Sequence, residues 1–356
     1  MVANTLRKLR LAAGFTQDAL VEELGRRGIQ LTKAALSKYE CAKSVPSVTI
    51  VHALSTIFGI EAAFLIDAQL PALRWEPAPA PRKAGKRRPE RAAAAVVLQF
   101  GTVTALRRAL GLAEPDSYVA PLPIAHVSDT EDAALAARVR WRIGTTKLVP
   151  SLVALIEALG GLVIEDSAAD PLFDALAGWV DRRVPVVVLN PRLSMQQRRE
   201  CIARELGHLL LDLSRLNPRV KKAAVARFVR AFLLPAKLMR SFCGTPDRVT
   251  YQELAQLAAR AGVTFEACLV RATELLLIEP LDELRLARRV RAHAAGNHAG
   301  DGAPIVERPR ELARVAELAL AEGLLTRAQA ARLASPELPA TRARRQEDSV
   351  QLVRGS

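Results

Sequence analysis

The sequence predicts a multidomain, mainly α protein that carries a small α+β unit in its middle. Its 356 residues suffice for two or three domains. Short amphipathic segments, separated by glycines and capping residues, fill the N-terminal part of the chain. Apolar, β-branched runs that are typical of strands follow in the middle, and Val184–Leu189 is the clearest of them.

Changes in composition divide the chain further. Proline, alanine and basic residues dominate one segment after the first helices, and Ala, Gly and Asn dominate Ala294–Pro304. We therefore expect a helical domain at residues 1–66, a basic Pro/Ala-rich linker at 67–95, an α+β domain with a helical subdomain at 96–290, a helical hairpin at 305–335 and a disordered tail at 336–356.

The charge balance indicates an anionic partner. The chain has 51 lysines and arginines against 37 aspartates and glutamates, so its formal net charge is +14. Double-stranded DNA is the first candidate, because a positive surface attracts phosphate whatever the base sequence. An Arg-rich composition without any such purpose is the alternative, and the positions of the charges must decide.

The cysteines and the apolar segments indicate a cellular location. The four cysteines contain no C-x-x-C pair, which is typical of reduced thiols in a cytosolic protein. The N-terminus has no long apolar segment, and no apolar run reaches about 18 residues. We expect a cytoplasmic protein that has no membrane partner.

The first domain shows five short helical patterns with tight turns. Thr16 and Thr32 are placed to cap the second and third helices, because threonine side chains accept hydrogen bonds from the free N–H groups at a helix start. The predicted helices are Leu6–Ala13, Gln17–Leu24, Lys33–Tyr39, Ser47–Phe58 and a fifth around Ala62–Ile66.

Three phrases in this domain carry a resemblance. Gly14–Gln17, Leu36–Glu40 and Lys43–Ser47 resemble the Xre/Cro-like helix-turn-helix family. In that family the third helix enters the major groove and the second helix begins at a phosphate. The resemblance implies that Gln17 contacts backbone or base, that Lys33, Ala34, Ser37 and Lys38 form the reading face, and that Lys43 reaches phosphate.

Two alternatives remain for this domain and its linker. A helix-turn-helix can also serve as a protein docking surface, although the reading face here lacks a large apolar stripe. The basic residues of the linker can be a solvated tether, or they can add salt-sensitive affinity for phosphate. A single reading helix offers few base contacts, so we expect a homodimer on two half-sites.

The middle domain contains a near-match to a zinc-peptidase helix. In H-E-x-x-H, two histidines on one helical face bind zinc and the glutamate acts as general base. This chain has Arg204-Glu205-Leu206-Gly207-His208 instead, so the first histidine is an arginine. On a helix over Glu200–Asp212, the polar residues Arg204, Glu205, His208 and Asp212 fall on one side, opposite an apolar side.

The surrounding residues resemble the ImmA/IrrE family of metallopeptidases. The resemblance is carried by Arg199, Ala203, Glu205, Leu206, Gly207, His208, Phe228, Leu233, Leu234 and Pro235. It implies a three-stranded sheet, which Gly160–Ile164, Leu176–Val180 and Val184–Leu189 would supply, and a helical subdomain after the catalytic part. It also implies a third ligand, a glutamate, at the position that Lys222 occupies here.

Two of the three ligand positions implied by the resemblance are therefore cations. Guanidinium repels zinc and does not deprotonate in practice, and lysine must lose a proton before it can ligate. We expect Glu205 to pair with Arg204 or Lys222 in a degenerate site that takes no cofactor. One alternative is that Arg204 and Lys222 are only solvated and the match is a remnant without a role. The other is an active peptidase that holds zinc through His208 and substitute ligands, with Glu205 as base.

Helical patterns continue to the end of the chain. Tyr251–Gly262 and Phe265–Leu277 form a helix-Gly-helix pair. Arg310–Leu333 is a hairpin that breaks at Gly323–Thr326, with Thr326 as the next cap. The hairpin either mediates oligomerisation or docking, or packs on the domain that precedes it.

The leading hypothesis is a sequence-specific transcriptional regulator. Its peptidase-like domain would serve in sensing, dimerisation or binding of a protein partner. The resemblance implies a bacterial or phage origin and a role such as stress response. An active zinc metallopeptidase that cleaves a repressor, and an antitoxin of a toxin–antitoxin operon, are the alternatives.

Overall fold

The computed structural model of this chain describes residues 2–58, 60, 65, 70–76, 87–112, 121–166, 174–243, 249–278 and 305–335. The fifth predicted helix, except for Leu65, lies outside these residues. So do the Ala/Gly-rich segment Ala294–Pro304 and the tail predicted at 336–356.

The N-terminal domain has the predicted order of helices. They are α1 (Val2–Ala12), α2 (Gln17–Arg26), α3 (Lys33–Glu40) and α4 (Val48–Phe58). Thr16 and Thr32 cap α2 and α3 through their side chains, as predicted. A small core of their own, which includes Leu6, Leu20, Leu36 and Leu54, holds these helices together.

Part of the segment predicted as an extended linker, residues 67–95, forms regular structure. Leu73–Trp75 forms strand β1, and the long helix α5 (Arg87–Ala109) begins inside the predicted linker. Pro89 does not prevent the helix, because it lies in the first turn, where its missing N–H group has no helical partner to lose.

Helix α5 packs against both the N-terminal domain and the domain that contains the sheet. Leu98 packs against the core of the N-terminal domain, and Val103 packs against the sheet on the same helix. Arg91 is paired with Asp166 at 3.2 Å, and this ion pair is almost completely buried. The two parts of the chain therefore share a packed interface instead of an extended tether.

The central sheet has four strands, one more than the resemblance implied. Its order is β1, β4 (Ala175–Val180), β5 (Val184–Leu189) and β3 (Leu162–Glu165). Strands β3 and β5 are parallel, and the other two pairs are antiparallel. The extra strand, β1, comes from the predicted linker and covers the outer edge of β4.

Helices cover both faces of this sheet. Val187 and Leu189 of β5 face the larger core, and Val186 and Val188 face the core under α5. Strand β5 is buried on both faces, which explains why its sequence is apolar throughout rather than alternating.

The larger core is built on helices that lie before β3 and after β5 in the chain. Helices α6 (Thr130–Arg140) and α7 (Leu152–Ala158) precede β3, and helices α8 (Met195–Leu210) and α9 (Pro218–Leu233) follow β5. The short strands β2 (Leu122–Pro123) and β6 (Leu211–Asp212) pair in parallel.

Helices α8 and α9 approach each other closely at one glycine. A side-chain carbon at Gly207 would lie 3.1 Å from the Phe228 ring and 3.3 Å from Val225. Glycine at this position lets α9 pass over α8, and this contact places the polar sides of the two helices around one cleft.

Helix α8 ends earlier than the sequence predicted. Leu211 adopts an extended conformation and pairs with Leu122, so Asp212 lies in β6. Asp212 is therefore not part of the helical face that carries Arg204 and His208. The cause is tertiary, because the pairing of β6 with β2 competes with another helical turn.

The C-terminal helices are α10 (Ala236–Cys243), α11 (Tyr251–Ala261), α12 (Phe265–Glu274), α13 (Glu311–Ala321) and α14 (Arg327–Ala334). Gly262 ends α11 in the left-handed conformation, at φ 63°, and Thr326 caps α14 as predicted. Leu312 and Val315 of the hairpin are buried under α5, so the hairpin packs on the preceding domain.

A buried carboxylate fastens the start of this hairpin. Glu307 is fully buried and pairs with Arg199 at 2.5 Å. It also accepts hydrogen bonds from the Ser151 hydroxyl and from the backbone N–H groups of Leu152 and Val153, each with a distance near 2.9 Å to one of its oxygens. The negative charge thus lies at the N-terminus of α7, where the helix dipole favours it.

Replacement Glu307→Ala should destabilise the protein strongly. Arg199, which is also buried, would lose its countercharge, and removing one partner of such a pair costs about 3–5 kcal/mol. The measurement is urea unfolding followed by circular dichroism. Glu317→Ala, at an exposed position of the same hairpin, is the control and should stay within about 0.5 kcal/mol of the parent. Equal effects of the two changes would contradict the assigned role of Glu307.

Candidate functional site

The residues predicted to read DNA lie on the exposed side of α3 and around it. Lys33, Ala34 and Lys38 are exposed, and Lys43 is exposed in the turn that follows the helix. Ser37 is partly buried on the same side. At about 100° per residue, the four helical positions span an arc of about 140°. This arc stays exposed although the N-terminal domain packs on α5.

Charged partners that the sequence analysis did not identify hold two of these residues. Lys33 is paired with Asp18 of α2 at 2.8 Å, and both side chains are more than half exposed. Gln17 donates from Nε2 to Glu40 at 2.9 Å, and Arg10 donates to the same carboxylate at 3.0 Å from its Nη2. No local pattern in the sequence predicts these pairs, because they join residues of three separate helices.

The second candidate site is a cleft beside α8 and α9, with a volume of about 930 Å³. Its polar lining includes Arg204 and His208 from α8 and Lys221 and Lys222 from α9. Strand β1 contributes Arg74, so the structure brings a residue of the predicted linker to this cleft. Apolar residues such as Trp179 and Val229 form much of the remaining wall.

Arg204 contacts two carboxylates, but both contacts are longer than usual charge-assisted hydrogen bonds. Its Nε is 3.3 Å from Glu205 Oε1, and its Nη2 is 3.5 Å from Asp174 Oδ2. Nη2 also lies 3.5 Å from the Cys201 sulfur. The side chain keeps 39% of its surface exposed, so the guanidinium is accessible from the cleft. Charge-assisted hydrogen bonds are normally about 2.7–2.9 Å, so these contacts are loose.

Burial shifts the ionisation of the neighbouring groups. Burial raises the pKa of the Glu205 carboxyl, and the Arg204 charge offsets part of that rise. Burial, followed by the Arg204 charge, lowers the pKa of His208 to about 4. His208 is therefore neutral at pH 7, which is the form that can bind a metal. Burial also raises the pKa of the Cys201 thiol to about 11, so this cysteine is not a nucleophile.

The donor set near Glu205 does not fit zinc. Zinc in proteins takes thiolate, imidazole and carboxylate ligands, and the positions implied by the resemblance hold Arg204 and Lys222. Across the ranges that the structure describes, no three His, Cys, Asp or Glu side chains come together in a group that could hold a metal ion. His208 alone cannot replace such a group.

Of the two cations expected as alternative partners of Glu205, Arg204 pairs with it at 3.3 Å. Lys222 is exposed on the cleft and has no ion pair within the described part of the chain. The two cations differ because Glu205 is a buried residue of α8 next to Arg204, whereas Lys222 lies in the first half of α9 with its side chain in solvent.

Comparison with protein-family models gives two matches. Residues 6–65 match a helix-turn-helix family, and residues 157–273 match a peptidase family described as the IrrE N-terminal-like domain. The chain is therefore a fusion of these two domain types. These matches support a DNA-binding regulator that carries a peptidase-like domain. The comparisons with curated proteins and with solved structures gave no match.

No helix in the described ranges has the length and apolar character needed to cross a membrane.

Replacement Arg204→Ala should raise the pKa of His208. The replacement removes a positive charge that disfavours the imidazolium, while the larger effect of burial remains. The measurement is an NMR titration of the histidine ring protons. In the parent protein the His208 resonance should titrate near pH 4, and in the variant it should titrate at a higher pH.

The lowered pKa of His208 also makes the stability of the protein depend on pH. Because the folded-state pKa of His208 lies below its ordinary value of about 6.5, stability should fall as the pH drops from 6.5 towards 4. Arg219→Ala, which removes an exposed charge from α9, is the control and should leave the His208 titration unchanged. Titration of His208 between pH 6 and 7 in the parent would contradict its placement beside Arg204.

Proposed function

We propose that this chain, which joins a helix-turn-helix domain to an IrrE N-terminal-like domain, is a sequence-specific DNA-binding transcriptional regulator. In this proposal the peptidase-like domain acts by binding and does not hydrolyse peptides. The observation that carries the proposal is the guanidinium of Arg204, which stands at the first ligand position and lies 3.3 Å from the carboxylate expected to act as base.

The DNA-binding half of the proposal is supported by the surface of α3. Three lysines, Lys33, Lys38 and Lys43, present positive charge beside the small residue Ala34, and all four are exposed. Small and basic side chains suit a helix that lies in the major groove, where lysine can donate to guanine and a methyl group can contact thymine. We expect a homodimer, because one reading helix covers only a half-site.

The binding role of the second domain is supported by electrostatics. In a zinc peptidase the glutamate activates a water that the metal holds, and the cations at 204 and 222 repel a metal. With His208 neutral, the cleft keeps an excess of positive charge at pH 7. A site of this kind suits recognition of a ligand or protein partner, which would make the domain a sensor for the DNA-binding half.

Full-length protein should hold far less than one zinc ion per chain, because two of the three implied ligand positions carry cations. Arg204→His combined with Lys222→Glu should create zinc binding, since both positions then provide ligands. Arg204→Gln combined with Lys222→Gln is the matched control, because it removes both charges without adding a ligand. Zinc content of the dialysed proteins is measured by elemental analysis.

Stoichiometric zinc in the parent protein would overturn the binding-only role and favour the peptidase. Failure of the His/Glu variant to gain zinc would show that these two positions are not ligand positions. A gain in the Gln/Gln control would mean that loss of charge, without new ligands, is enough.

Two lysine variants separate base reading from phosphate contact. Lys38→Ala should cost about 1–3 kcal/mol on the operator and relax specificity at one base position. Lys43→Ala should weaken operator and random duplex alike, and should reduce the salt slope of binding by about one. The measurement is footprinting and titration on the DNA upstream of the chain's own gene.

Lys237→Ala, which removes an exposed charge from α10, is the control and should leave DNA binding unchanged. Equal affinity of the parent for this DNA and for random duplex would reduce the interaction to a charge effect.

A further inference from the structure

The lining of the cleft beside α8 holds more basic than acidic side chains. Five basic side chains line it: Arg74, Arg204, Lys221, Lys222 and Arg230. The carboxylates on its lining are Glu76, Glu200 and Asp212. The contacts of each group decide how much of this charge is available to a ligand.

Two of the five cations already have partners in the chain. Arg230 is paired with Glu274 at 2.5 Å, and both side chains are mostly buried. Arg74 lies 3.7 Å from Glu76, which follows it on the same strand. These two residues contribute little net charge to the cleft.

The other three cations are incompletely neutralised. Lys221 and Lys222 form no ion pair with any residue that the structure describes. Arg204 makes only the long contacts to Asp174 and Glu205, and its Nη1 donors have no partner among the described residues. Guanidinium offers five N–H donors in a planar fork, and the two on Nη1 are open to a ligand.

The carboxylates on the lining do not remove this excess. Glu200 accepts hydrogen bonds from the backbone N–H and the hydroxyl of Thr264, both at 2.8 Å, so its charge is held at the start of α12. Asp212 accepts from the backbone N–H of Ser214 at 3.0 Å. Asp212 offsets part of the charge of Lys221. Lys222 is left without a countercharge among the described residues, and Arg204 has only its long contacts to Glu205 and Asp174.

The rest of the wall is apolar and the space is large. Trp179, Leu209, Val225 and Val229 line the cleft together with the basic residues. A volume of about 930 Å³ falls within the range of small-molecule sites, which bind an apolar body and fix it with a few polar groups. The cleft therefore combines an apolar wall with cationic groups from two helices.

We propose that this cleft binds a small molecule that carries an anionic group, a carboxylate or a phosphate, on an apolar body. Arg204 and Lys222 bind the anionic group, Lys221 adds charge at its side, and the apolar wall receives the body. This inference rests on the proposed binding role, because an anion would fill the place that zinc occupies in a working peptidase.

The experiment is calorimetric titration of the full-length protein with N-acetylphenylalanine and with phenyl phosphate. Each carries an aromatic ring and one anionic group, and N-acetylphenylalaninamide is the neutral comparison. Both anions or one of them should bind saturably, and the amide should bind at least about tenfold more weakly. The preferred anion identifies carboxylate or phosphate as the natural group.

Charge reversal tests the assigned residues. Lys222→Glu reverses a charge and should lower the association constant of the anion about tenfold or more. Arg204→Gln removes a charge without reversing it and should also lower this association constant. Lys237→Glu makes the same change in net charge at an exposed position that does not line the cleft, and should change binding less than about twofold.

Three results would overturn the inference: no saturable binding of either anion, equal binding of the amide, or equal losses in Lys222→Glu and Lys237→Glu. Zinc analysis and footprinting of the same preparation separate this failure from a failure of the proposed function. Protein that footprints its DNA and holds no zinc, but binds neither anion, disproves the anion site alone.

Discussion

The permanent charge of Arg204 is the constraint on which the character of the cleft depends. A guanidinium does not lose its proton at any pH at which the protein is folded, so the charge is fixed. Burial is the larger cause of the pKa shifts of its neighbours, and the Arg204 charge adds to the lowering at His208 and offsets part of the rise at Glu205. Helix α8 lies in the segment that matches the peptidase family and carries this fixed positive charge beside Glu205.

The two domains are connected by side-chain packing as well as by the polypeptide chain. Helix α5 contributes Leu98 to the core of the N-terminal domain and Val103 to the core under the sheet. Strand β1, which closes the sheet edge, also places Arg74 and Glu76 on the cleft. The helix-turn-helix domain is thus packed on the domain that carries the cleft through α5, which contributes to both cores.

The interior shows that much of the positive charge has another purpose. Arg138, Arg199 and Arg271 are fully buried, and their guanidinium groups donate to backbone carbonyls in loops and at helix ends. Arg199 and Arg271 also hold carboxylates from distant parts of the chain, Glu307 and Glu131. Net charge alone therefore overstates the surface available to DNA, because several arginines fasten segments inside the protein.

The sequence by itself determined the elements whose signals are local. Caps at Thr16, Thr32 and Thr326, the apolar run of β5 and the spacing of Arg204 and His208 could all be read from neighbouring residues. Tertiary structure decided the rest: β1 needs the edge of β4 to become a strand, and the last turn of the predicted α8 was lost to pairing between β6 and β2. Tertiary packing also decided that Glu205 is buried while Lys222 is exposed, because the burial of a side chain depends on helices that are distant in sequence.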